Sequence, residues 1–196
     1  MIYQEKIFTE DECNKIIDFS KIYNANPSLR KAEPNIDFKT NRVDSVIYKN
    51  GEKLGKRFFA HDILRNENTE WLFEKLFKWF ENVSNILLSP NTKKQNISLL
   101  KYETGDFFTK HTDIYKNFEW RRWTLNIQLD NKYDGGDYII YLENGEMITL
   151  SKEPGTAIAY WSGYEHEIKE ITNGIRYSIV TSLSKNMIIE KTNKLI

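Results

Sequence analysis

Cysteine is nearly absent from this sequence: Cys13 is the only one in 196 residues. A lone thiol excludes an internal disulfide and any zinc site built on cysteine, and it suits a reducing compartment, so a cytoplasmic location is expected. An excess of charge is missing as well. Lysine plus arginine total 28 and aspartate plus glutamate total 28, for a net charge of zero. Such a chain lacks the basic surplus that drives duplex nucleic-acid binding through phosphate contacts. No apolar run approaches the roughly 20 residues of a membrane helix. The opening MIYQEKIFTEDEC is charged throughout and has no apolar leader segment. Repeats and low-complexity tracts are absent too. What the chain does have is apolar surface: 40% hydrophobic and 14% aromatic residues, enough for a core in a single domain of this length.

The texture changes near residue 95. Before it, Thr9-Glu10-Asp11-Glu12 has the form of a capping box, with Phe8 and Cys13 at the two staple positions. Ile16, Ile17 and Phe19 follow, predicting a helix over about 10–23 that Asn26-Pro27-Ser28 ends. A stronger helix is predicted from Glu70 to Leu88, where Leu72, Leu76, Trp79, Phe80, Val83, Ile86 and Leu87 recur at three- and four-residue steps before Ser89-Pro90. Its aromatic stripe reads as a core face rather than a ligand face. Residues 30–50 read as irregular with a strand at Val43–Tyr48, and Gly51 to Arg65 as a weaker third helix.

From Asn96 onward short β-type runs alternate with turns. Strands are expected near 97–102, 107–111, 122–130, 138–142, 147–150, 156–160, 165–171 and 176–183, punctuated by Asp134-Gly135-Gly136, Asn144-Gly145, Pro154-Gly155 and Asn173-Gly174. The expected fold is α+β, mainly β: a sandwich or jelly-roll core with N-terminal helices buttressing one face. A single domain would then comprise helical support over 1–95, the β core over 96–184 and a tail over 185–196.

Only three histidines are present: His61, His111 and His166. His111 and Asp113 form a His-x-Asp pair at a predicted strand end, where positions i and i+2 point the same way. With His166 they offer two imidazoles and one carboxylate, a facial set that suits non-haem Fe(II) and leaves positions open. A His-x-Asp alone is weak evidence, because a surface histidine beside a solvated aspartate is commoner. Arg176 adds weight. It shares a strand face with Ser178, and together they make a fork for a carboxylate. A surface salt bridge is disfavoured for it by the apolar neighbours Ile175, Ile179 and Val180. His61-Asp62 lies on the weak helix without a third partner and reads as structural or surface.

Seven words then line up in order: Leu100-Lys101-Tyr102-Glu103-Thr104-Gly105-Asp106-Phe107-Phe108, His111-Thr112-Asp113, Arg122-Trp123-Thr124-Leu125, Asp134-Gly135-Gly136-Asp137, Pro154-Gly155-Thr156, Tyr164-Glu165-His166-Glu167 and Gly174-Ile175-Arg176-Tyr177-Ser178. Through them the stretch from Leu99 to Leu183 resembles the double-stranded β-helix of the Fe(II)/2-oxoglutarate dioxygenases, and within these the prolyl 4-hydroxylase-like branch. The resemblance implies that His111, Asp113 and His166 ligate Fe(II) and that Arg176 binds the distal carboxylate of 2-oxoglutarate, with Ser178 a second donor. It also implies cosubstrate roles for Tyr102 and Thr124; a core aromatic is the equal alternative for Tyr102. O2 is the implied oxidant and ascorbate a further auxiliary candidate. Two departures bear on the substrate rather than the cosubstrate. Arg176 stands where collagen-type enzymes use lysine, and their Gly-Gly-Glu-Thr word appears as Gly135-Gly136-Asp137-Tyr138.

The expected activity is hydroxylation of a peptide or protein side chain, with proline the first candidate. Trp120, Arg121, Arg122 and Trp161 are candidate substrate contacts around the mouth. The rivals are the same chemistry on a free amino acid, another small molecule or a nucleic-acid base, and a non-catalytic cupin-like binding module. Base dealkylases carry a second arginine six residues after the first, where this chain has Ser182.

Overall fold

The computed structural model describes residues 1–25, 44–49, 52–114 and 119–189. The Asn26-Pro27-Ser28 stop, most of the irregular 30–50 segment, residues 115–118 of the mouth and 190–196 of the tail lie outside them.

The first helix, α1 (Glu10–Ala25), starts at the expected cap. Glu12 Oε2 accepts the Thr9 N–H at 2.8 Å and Thr9 Oγ1 accepts the Glu12 N–H at 3.2 Å, satisfying two orphan donors of the first turn. Phe8 and Cys13 are both buried beside it. The second helix, α2 (Glu70–Ser84), buries Leu72, Phe73, Leu76, Phe77, Trp79 and Phe80 in the core. It stops short of the expected Leu88. Asn85 turns left-handed (φ 57°), and two-residue strands at Leu87–Leu88 and Ile188–Ile189 pair beyond it.

Where a helix is expected over 51–65, Glu52–Ile63 is instead a strand, and Gly51 lies outside the described residues. In chain order the strands are β1 (Ile2–Lys6), β2 (Asp44–Lys49), β3 (Glu52–Ile63), β4 (Leu87–Leu88), β5 (Ile97–Glu103), β6 (Phe107–His111), β7 (Arg121–Gln128), β8 (Tyr133–Gly135), β9 (Tyr138–Tyr141), β10 (Met147–Thr149), β11 (Thr156–Trp161), β12 (Glu165–Ile168), β13 (Ile171–Ser184) and β14 (Ile188–Ile189). The main path runs β1-β11-β7-β13-β5-β3-β6-β12-β9-β10. Strand β3 joins two leaves: Phe58 to Ile63 pair with β5, and Gly55 and Lys56 pair with β6. This is the mainly β jelly roll expected, with three strands drawn from the first 95 residues added to it. Strand β1 reaches its edge position through Gly155, whose carbonyl accepts the N–H groups of Ile7 and Phe8. A Cβ there would lie 1.9 Å from the Phe8 oxygen, so only glycine fits.

Side chains divide by parity along the larger leaf. Leu99, Leu125, Ile127, Ala157, Ala159, Ile179 and Leu183 point to one face and pack with α1 and α2. Leu100, Tyr102, Ile158 and Tyr160 point to the other, against Tyr138, Ile140 and Ile168 of the smaller leaf. The second face also carries buried Thr124, Asn126, Gln128, Arg176 and Ser178. Two bonds tie the helix layer down: Lys75 Nζ to Glu12 Oε1 at 2.6 Å, and Trp79 Nε1 to Glu5 Oε2 at 2.9 Å. Among the described residues no helix is long and apolar enough to cross a membrane.

Candidate active site

His111 ends β6 and His166 lies in β12, and the two are direct cross-strand partners. Their ring centroids are 4.3 Å apart. Asp113 follows two residues after His111, its N–H donating to the Ser162 carbonyl at 3.0 Å. One ligand atom from each of the three lies within 4.8 Å of the others, and no other such cluster occurs among the described residues. His111 Nδ1 is 2.7 Å from the Thr109 carbonyl and His166 Nδ1 is 3.1 Å from the Tyr164 carbonyl. A carbonyl only accepts, so each Nδ1 carries the proton and each Nε2 keeps its lone pair for a metal.

Arg176 lies on β13 opposite Tyr102 of β5 and is 1% exposed. Nη1 donates to Ser178 Oγ at 3.0 Å, while the guanidinium carbon sits 5.6 Å from the Tyr102 ring centre and 5.9 Å from that of Tyr138. Its buried Nε and the buried Tyr102 hydroxyl have no hydrogen-bond partner. Buried donors are rarely left so, and these two, one of them on the cation itself, fit an incoming carboxylate. Tyr138 bridges this end to the triad, its ring 5.7 Å from that of His166. The Tyr138 and Tyr160 hydroxyls hydrogen-bond each other, and burial pushes both phenols well up, keeping them neutral.

The Thr124 hydroxyl, a cosubstrate candidate, donates to Asp113 Oδ2 at 2.6 Å. The mouth candidates separate. Trp120 and Arg121 line the cavity of about 250 Å³ that holds the triad, and Arg121 Nη1 is 3.6 Å from Asp113 Oδ1. Arg122 and Trp161 open instead on a separate cavity beside Ile86 and Ile188. Ser162, Tyr138 and Tyr160 escaped the sequence reading. The two tyrosines had a signal, an inward position on an alternating strand; Ser162 had none.

Residues 97–183 match the family model of the 2OG-Fe(II) oxygenase superfamily. That stretch is similar to the superfamily and contains His111, Asp113, His166 and Arg176. A PKHD-type hydroxylase of Rippkaea orientalis is 28% identical over 185 residues, covering 89% of this chain and 74% of that protein. Among solved structures, a Pseudomonas putida prolyl-4-hydroxylase superposes with a TM-score of 0.65 at 14% identity, over 93% of this chain and 91% of the other. A Trichoplax adhaerens prolyl hydroxylase in complex with a hypoxia-inducible-factor peptide gives 0.64 at 14%, over 93% and 83%. The fold is thus that of the prolyl 4-hydroxylase-like branch, and the oxygenase is a 2-oxoglutarate-dependent dioxygenase using Fe(II) and O2.

Proposed function

We propose that this oxygenase hydroxylates a peptide or protein side chain, with proline the first residue to try. The observation that carries the assignment of roles is the buried Arg176, with its free Nε and the unpartnered Tyr102 hydroxyl, placed one tyrosine away from the His111-Asp113-His166 cluster. In this reading the three clustered side chains hold Fe(II). Arg176 and Ser178 take the distal carboxylate of 2-oxoglutarate, and Tyr102 donates to the same molecule. The bound iron and keto acid supply the oxidising chemistry. The protein contributes position and dryness. The two Nδ1–H bonds fix the imidazoles, and the neutral Tyr138–Tyr160 pair stands between cation and triad without adding charge, with Tyr138 lining the cavity. Trp120 and Arg121 stand at the mouth to meet substrate.

A peptide rather than a nucleic acid is supported by the zero net charge and by Ser182 lining the cavity where a dealkylase would carry arginine. It is supported also by the peptide complex of the Trichoplax relative. The chain acts as one oxygenase domain in this reading, and the cytoplasm is the expected compartment. The test is succinate release from 2-oxoglutarate with proline-containing peptides, read with product mass. A gain of one oxygen on a peptide is the expected result. Oxidative demethylation of a base, with salt-sensitive binding to single-stranded DNA, would overturn the substrate class.

A further inference from the structure

Thr124 is 1% exposed and Ser162 is fully buried. The Thr124 hydroxyl lies 2.6 Å from Asp113 Oδ2 and 2.9 Å from Ser162 Oγ. As a metal ligand the Asp113 carboxylate only accepts, so Thr124 commits its one proton to it. Thr124 Oγ1 must then accept from Ser162. This orders the chain as Ser162 to Thr124 to Asp113. The same serine accepts the Asp113 N–H on its carbonyl at 3.0 Å and donates its own N–H to the Arg122 carbonyl at 3.0 Å. The Asp113 backbone is therefore anchored directly on the turn that follows β11, and its carboxylate through Thr124 of β7.

Asp113 needs such an anchor. The two histidines are held by strand pairing and by their Nδ1 bonds, whereas Asp113 lies beyond the end of β6. A free carboxylate rotates, and ordering it on metal binding would cost entropy. We propose that Thr124, backed by Ser162, is a positioning residue for the Asp113 carboxylate and not a contact to 2-oxoglutarate. A donor to the cosubstrate would need the proton that Thr124 has already given. The proposal rests on reading the triad as the iron site.

The test is anaerobic titration of Fe(II), and of Co(II) as a spectroscopic probe, into the full chain. Thr124→Val should raise the metal dissociation constant about 10- to 100-fold, the usual cost of losing a partner of a metal ligand. It should also alter the Co(II) visible spectrum, while 2-oxoglutarate affinity at saturating metal and the melting temperature of the metal-free protein stay as in the wild type. Thr124→Ser should restore both the affinity and the spectrum. An unchanged metal constant in Thr124→Val overturns the proposal, as does a loss confined to 2-oxoglutarate affinity. Wild-type protein that binds neither metal overturns the iron-site reading itself. If Thr124→Val fails to fold, Ser162→Ala decides: several-fold weaker metal binding supports the relay, and unchanged binding overturns it.

Discussion

The two faces of the larger leaf are equally buried and chemically opposite. On the helix side, Leu99, Leu125, Ile127, Ile179 and Leu183 meet α1 and α2 with no polar atom to satisfy. On the roll side, the alternate residues of the same strands are Tyr102, Thr124, Asn126, Gln128, Arg176 and Ser178. Burying polar groups costs free energy unless each finds a partner, so a core built for stability alone would avoid them. Here some partners are internal, such as Ser178 for Arg176, and some donors are left over, such as Tyr102 Oη. One face carries the fold and the other the chemistry, and a single set of strands serves both because side chains alternate.

Substitutions should separate the faces. The largest effect belongs to the triad. Asp113→Ala should abolish turnover in a succinate assay while the metal-free protein melts close to wild type, because a charged ligand is lost and no packing is. Next comes Arg176→Ala. Removing one partner of a buried charged pair costs roughly 3–5 kcal/mol, or about a hundred- to several-thousand-fold in 2-oxoglutarate affinity. Anaerobic titration of the iron-loaded variant measures it, and iron binding should not change. Arg176→Lys should be milder, since a point charge replaces a bidentate fork. A loss of iron affinity instead would merge the two sites that the geometry keeps apart.

Phe80→Ala tests the opposite face. Truncating this fully buried ring should cost about 3–5 kcal/mol of stability by chemical denaturation and leave the 2-oxoglutarate constant of the folded protein unaltered. A shifted constant would show that the faces are coupled through the sheet.

A subtler effect sits at the Arg176 end of the roll. Burial pushes the Asp130 carboxyl up to about 6, against the Tyr177 N–H and the Arg176 charge, which pull it down. A raised carboxyl favours the protonated form in the folded state. Its stabilising contribution is therefore full below pH ~4 and lost as pH rises through about 6. Relative to Asp130→Asn, the wild type should lose about 1–3 kcal/mol of stability between those limits, seen by denaturation at several pH values. A flat difference would mean that Asp130 stays as solvated as an ordinary aspartate. The smallest effect is expected outside both faces. Thr9→Ala removes one cap bond of α1 and should cost about 1 kcal/mol in stability and nothing in ligand affinity.

The amino-acid order by itself determined the cap of α1, the apolar stripe of α2 and nearly every strand after residue 96, because these depend on local spacing and on turn residues that work in any context. It also offered His111, Asp113, His166 and Arg176 as candidates, through the His-x-Asp spacing and the order of the seven words. Tertiary structure decided the rest. The charged stretch Glu52–Ile63 has no clean alternation and is a strand through its pairing with β2, with β5 and, at Gly55 and Lys56, with β6. Ile2–Lys6 becomes one because β11 and Gly155 hold it. Trp120 and Arg121 line the cavity of the triad while Arg122 and Trp161 line another, a division that their neighbouring sequence positions do not show. Thr124 reads alone as one more hydroxyl near a pocket. Its task depends on Asp113, 11 residues away, and Ser162, 38 residues away, and only folding brings the three hydroxyl and carboxylate oxygens within hydrogen-bonding reach.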